Sequence, residues 1–141
     1  ESQKKYYFDK VKKRLGDLKG LNIGIWGLAF KDNTDDMRES PALDIIPWLK
    51  EAGANVFAYD PISIENAKKE LKIDINYVED MYEVLDNKDC LLVLTDWKEF
   101  KQVDFEDVKN RLKTPLIIDG RNLYHKEEME KMGFEYIGMG V

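Results

Sequence analysis

Three short stretches of this sequence collect the residue types that hold anions. They are Lys31 and Arg38 within KDNTDDMRES, the turn Thr95-Asp96-Trp97, and Asp119-Gly120-Arg121-Asn122. Each follows an apolar run: Ile23, Ile25, Leu28, Ala29 and Phe30 before the first, residues 90–94 before the second, residues 115–118 before the third. A diphosphate needs two or more cations that hydrogen-bond its oxygens, and arginine does this in a planar fork that lysine does not copy. Lys31, Arg38 and Arg121 are the candidates by position. Ser40-Pro41 adds a helix-start signal, a hydroxyl to accept an orphan N–H and a proline suited to the first helical position. The N-terminus of that helix attracts anions.

Other chemistries find less support. A dinucleotide fingerprint needs G-x-G-x-x-G after the first strand, and Gly24-Ile-Trp-Gly27-Leu-Ala29 does not match it. The Walker A spacing is missing as well. Asp60 stands where an acid ending a second strand would meet a ribose, but Asp60-Pro61 reads more simply as a turn. Cys90 opens an apolar run, where burial would make its thiol inert. His125 reads as a surface residue. Asp35, Asp36 and Glu39 match no defined metal-ligand spacing and read as a solvated acidic loop that orients Lys31 and Arg38.

The elements that must position these loops alternate along the chain. Tyr7, Val11, Leu15 and Leu18 share a helical face, so a helix is expected over 3–18, weakened but not abolished by Gly16 and ended by Leu18-Lys-Gly20. The run from Ile23 to Phe30 reads as a strand covered on both faces. Ala42, Ile45, Ile46 and Leu49 recur at helical spacing up to Gly53, and 55–59 is a second strand. A short helix is expected over 64–71, a strand or extended connector over 73–77, a helix over 80–85 and a strand over 90–94. Beyond these, Phe100 to Leu112 reads as helix on either side of an Asp104 cap, 115–118 as a strand, 126–132 as a last helix and 134–137 as an edge strand. The fold class is therefore α/β, a Rossmann-like three-layer domain with a mostly parallel sheet. Such sheets bind ligands beyond the carboxyl ends of their strands, at a switch in strand order, and the three loops can converge there.

With 141 residues the chain suits one well-buried domain. A net charge of −6, spread along the sequence, argues against a nucleic-acid surface. The Lys/Arg-dense N-terminal segment reads as the solvated face of its helix. One cysteine and one histidine leave no internal disulfide and none of the usual zinc frameworks. No long apolar run or signal-peptide pattern is present, so a cytoplasmic protein without membrane contact is expected. The opening Glu1-Ser-Gln, without methionine, is consistent with a cut chain.

Several segments together resemble a known family. Gly27-Leu-Ala-Phe-Lys31, Thr34-Asp-Asp and Arg38-Glu-Ser-Pro-Ala42 are similar to the signature of the carboxyl-terminal domain of the UDP-glucose/GDP-mannose dehydrogenase family. Tyr59-Asp-Pro61, Leu94-Thr-Asp-Trp97, Ile118-Asp-Gly-Arg-Asn-Leu-Tyr124 and Gly133-Phe-Glu-Tyr-Ile-Gly138 extend the likeness over roughly 18–141. Thr34, the Thr-Asp-Trp turn and the 119–124 segment look most like the UDP-glucose branch; the GDP-mannose and UDP-N-acetylmannosamine branches are the alternatives.

The resemblance implies a Rossmann-like domain, here 20–141, that holds a UDP-sugar, preceded over 1–19 by a helix following the family's central linker. Family enzymes oxidise the sugar C6 alcohol to a carboxylate in two steps, with two NAD and a cysteine thiol. An amino-terminal NAD-binding domain and a dimerising helical region complete them. Nothing here matches the glycine fingerprint or that cysteine, and Cys90 does not stand in for it, so this chain alone is expected to be inactive. Carried over, Lys31 and Arg121 would contact the UDP-sugar, Phe30 with Thr95, Asp96 and Trp97 would shape the uridine side, and Arg38 would touch the NAD pyrophosphate. A stand-alone nucleotide-binding module and an unrelated flavodoxin-like domain are the competing readings.

Overall fold

The computed structural model describes residues 2–140; Glu1 and Val141, at which the segments 1–19 and 20–141 begin and end, lie outside the described residues. Six segments become strands: Asn22–Trp26 (β1), Asn55–Tyr59 (β2), Asn76–Tyr77 (β3), Cys90–Val93 (β4), Leu116–Asp119 (β5) and Glu135–Ile137 (β6). They form one sheet in the order β3-β2-β1-β4-β5-β6, and every pairing is parallel rather than most of them. The order reverses between β1 and β4, so the switch point lies at the carboxyl ends of those two strands.

Helices Ser2–Leu15 (α1), Ala42–Glu51 (α2), Ile64–Leu71 (α3), Lys98–Lys101 (α4), Phe105–Arg111 (α5) and Lys126–Lys131 (α6) cover both faces. Alternation along the strands sorts the core into two layers. Ile23, Ile25, Val56, Ala58, Leu92, Leu116 and Ile118 face α1, α2 and α3. Trp26, Leu91, Val93 and Ile117 face Phe100 of α4, Val108 of α5 and Met129 of α6. Burial on both faces is why these strands read as nearly unbroken apolar runs. α1 belongs to this core: Tyr7, Phe8 and Val11 are buried, the Tyr7 hydroxyl donates to the carbonyl of Ile118 at 2.6 Å, and Phe8 packs on Trp48 of α2.

Four elements depart from expectation. α1 stops at Leu15 because Gly16 takes φ +74°, a left-handed conformation that turns the chain, although Leu18 still reaches the core. β1 stops at Trp26, where Gly27 adopts φ +103° and a Cβ would lie 2.5 Å from Thr95; Leu28 and Ala29 then form a buried turn instead of more strand, and Phe30 is exposed. Of 73–77 only Asn76 and Tyr77 pair with β2. Within 80–85 the chain makes a 3-10 turn at Glu83–Leu85, because Asp80 Oδ1 accepts from the amides of Tyr82 and Glu83 and tightens the entry. The Asp104 cap is present between α4 and α5, accepting from the Asp107 amide.

Candidate functional site

The three anion-type loops meet at the carboxyl edge of the sheet. Leaving β1, the chain reverses so tightly that the Phe30 amide donates to the Asp36 carbonyl at 2.8 Å, which lifts Lys31 and the half-exposed Phe30 to the surface. The Thr95 hydroxyl, leaving β4, donates to the carbonyl of Ala29 at 2.9 Å and fastens the second loop to the first. Asp96 then reaches both ways. Its Oδ1 accepts from the Asp32 amide and its Oδ2 from the Arg121 guanidinium, each at 3.3 Å. One carboxylate thus ties the Lys31 loop to the Arg121 loop, across 64 and 25 residues of sequence.

Asp119 shapes the third loop. Its Oδ1 accepts from the Arg121 amide at 2.8 Å; its Oδ2 accepts from the Leu123 amide at 2.7 Å and the Tyr136 hydroxyl at 2.8 Å. Burial pushes the Asp119 carboxyl above its ordinary range, while these donors pull it back. Arg121 also borders a small cavity of about 80 Å³ closed by Lys4 and Tyr7 of α1, Pro41 and Leu94.

Arg38 lies apart from this convergence. Its side chain is 89% exposed and grips Asp36 with two nitrogens, Nε to Oδ1 at 3.1 Å and Nη2 to Oδ2 at 2.9 Å. The pairing holds the Asp36 carboxyl down at about 2 and raises the guanidinium. With Phe30, Asp36 and Glu39, Arg38 borders an open hollow of about 240 Å³. The structure therefore brings Lys31's loop and Arg121 together through Asp96 and turns Arg38 toward a second opening beside Phe30. Among the described residues Lys31 makes no ion pair.

Asp60 has a larger part than the turn that its Pro61 suggests. It is buried, and its Oδ1 accepts from the amides of Ile62 and Ser63 at 3.0 Å, as an aspartate in a turn does. Its Oδ2 accepts from the amides of Leu28 at 2.8 Å and Ala29 at 3.1 Å and from the Trp97 indole at 3.1 Å. No spacing in the sequence points to these partners, which lie 31 to 37 residues away.

A model of the UDP-glucose/GDP-mannose dehydrogenase family, UDP binding domain, matches residues 24–126. This chain belongs to that family. Lys31, Arg38, Asp96 and Arg121 all fall within the matched span. The UDP-glucose 6-dehydrogenase TuaD of Bacillus subtilis is 46% identical over 140 residues, 99% of this chain and 30% of that protein. The UDP-glucose 6-dehydrogenase of Rhizobium meliloti is 45% identical over 125 residues, 89% of this chain and 28% of that protein. The solved UDP-glucose dehydrogenase of Pyrobaculum islandicum superposes with a TM-score of 0.80 at 31% identity, covering 97% of this chain and 29% of that one. The chain thus spans about 30% of the length of these family members. Within this family domain, Cys90 is fully buried in β4 and its thiol is pushed up to about 12 by burial, so it is not a thiolate nucleophile. Among the described residues no group of three metal-ligating side chains is placed to hold an ion, and no helix is long and apolar enough to cross a membrane.

Proposed function

We propose that this domain, 20–141 with α1 docked on it, holds the nucleotide diphosphate of UDP-glucose for a longer NAD-dependent UDP-glucose 6-dehydrogenase. Asp96 carries the reading, because its two contacts set Arg121 beside the Lys31 loop at the switch point. An arginine fork and a lysine at the ends of β5 and β1, on either side of β4, can engage two phosphates at once, and a bound diphosphate would compete with Asp96 for the guanidinium. Phe30, half-exposed at the rim, offers an apolar face to the uridine side, with Thr95, Asp96 and Trp97 behind it. Arg38, already oriented by Asp36 beside its own hollow, would meet the pyrophosphate of NAD held mainly by an amino-terminal domain of the same protein. The reactive thiol would come from elsewhere in the longer protein, since Cys90 is buried and inert. The parent protein would take the C6 alcohol to a carboxylate through two hydride transfers to two NAD and would work as a homodimer in the cytoplasm. This chain alone would bind without oxidising.

Calorimetry on the longer protein tests the assignment. Lys31→Ala and Arg121→Ala should each weaken UDP-glucose binding by about 10- to 100-fold, the loss of one charge-assisted contact. If both variants bind UDP-glucose as tightly as the parent, neither residue holds the diphosphate.

A further inference from the structure

We infer that Asp60 and Ser40 fill, with the domain's own oxygens, the place where a sheet of this strand order takes the phosphates of a dinucleotide, and so bar a dinucleotide from its switch point. The inference stands whether or not the bound nucleotide is a UDP-sugar. In a doubly wound fold two sets of backbone donors receive the pyrophosphate: the amides of the turn leaving the first strand, and the first amides of the helix that follows. Both sets are present here and both are occupied. The turn amides are those of Leu28 and Ala29, and both donate to Asp60 Oδ2. At the start of α2 the Ala42 amide donates to the Ser40 hydroxyl at 3.1 Å, the Leu43 amide donates to the Ser40 carbonyl, and Pro41 has no N–H to offer.

Geometry and charge reinforce each other. Asp60 is 2% exposed and Ser40 is 1% exposed, so neither oxygen swings aside into solvent. The Ser40 hydroxyl also donates to the Leu28 carbonyl at 2.6 Å, locking the turn to the helix. Trp97 closes the remaining side by donating its indole N–H to the same Asp60 oxygen. A phosphate entering here would displace a buried carboxylate from three donors and then sit beside its charge. An anion at this edge is left with side-chain cations, which is where Lys31 and Arg121 stand.

Amide NMR of the chain tests this in two ways. Titration with NAD should leave the Leu28, Ala29 and Ala42 amide signals unmoved; saturable movement of these signals overturns the inference. Asp60→Ala should lower Tm by about 5–10 °C, and formate, a carboxylate small enough to refill the place, should recover several degrees beyond a chloride control of equal ionic strength. Formate no better than chloride overturns the inference. Should Asp60→Ala fail to fold, Asp60→Asn keeps the shape without the charge, and the Leu28 and Ala29 amide protons should move upfield; unchanged positions would count against Asp60 as their acceptor.

Discussion

Arg38 and Asp36 show how a single pair sets a local pH response. The guanidinium spans both carboxylate oxygens and holds Asp36 at about 2. Because the folded-state value is depressed, the interaction is present above the unfolded carboxylate value and is lost as pH falls through about 2. Arg38→Ala should raise Asp36 toward the ordinary carboxylate range without fully restoring it, since the backbone N–H of residue 38 still donates to Oδ1; the rise is read from its side-chain carbon shifts during a pH titration. Asp119 runs the opposite way. Burial raises its folded-state value, so its contribution is greatest below the unfolded value and declines as pH rises through the raised one. Tyr136→Phe removes a donor from the ionised form; it should raise Asp119 further and cost about 1–2 kcal/mol in urea unfolding at neutral pH. Residue types alone located Lys31, Arg38 and Arg121. The acceptors that orient them were partly hidden: Asp36 lies two residues from Arg38 and was visible as part of the acidic loop, whereas the reach of Asp96 to Asp32 and Arg121 depends on how β1, β4 and β5 lie side by side.

Among the elements, the turns decide more than the strands. Gly16 and Gly27 both adopt positive φ, but nothing lies within 4 Å of a Cβ at 16, while one at 27 would collide with Thr95. Gly16→Ala should therefore cost about 1 kcal/mol, the conformational strain alone. Gly27→Ala should cost about 3 kcal/mol or more, strain plus a collision with Thr95 just beyond β4, and should disturb the Thr95 to Ala29 hydrogen bond. Urea denaturation of both variants checks the ratio. The expected helix through Leu18 shows why periodicity overran: Leu18 is buried at the expected spacing, so the pattern reported burial correctly but not the left-handed break at Gly16. Likewise the apolar run past Trp26 stays buried through Leu28 and Ala29, although from Gly27 onward it is turn and Phe30 emerges at the surface.

For the whole molecule, α1 is the element whose status matters most. It covers the β4 and β5 half of one sheet face, places Tyr7 on the Ile118 carbonyl and Gly120, and has its first turns, with Lys4, beside Arg121. A chain beginning at residue 17 should expose Leu92, Leu116 and Ile118, bind a hydrophobic dye and lose cooperative thermal unfolding; a sharp transition near the parent Tm would show that α1 is dispensable. The sequence by itself determined the α/β alternation, the two-sided burial of the strands and the three loops at strand ends. Burial repeats every two or about four residues and so leaves a local, periodic trace. It also carried the family motifs, which the matched span from 24 to 126 bears out. Only the tertiary structure decided which donors at those strand ends are free. Asp60 meets Leu28, Ala29 and Trp97, and Asp96 meets Asp32 and Arg121, through contacts between distant residues that follow no period. A carboxylate's partners are set by which strands lie side by side, and that order, β1 between β2 and β4, exists only once the sheet is built.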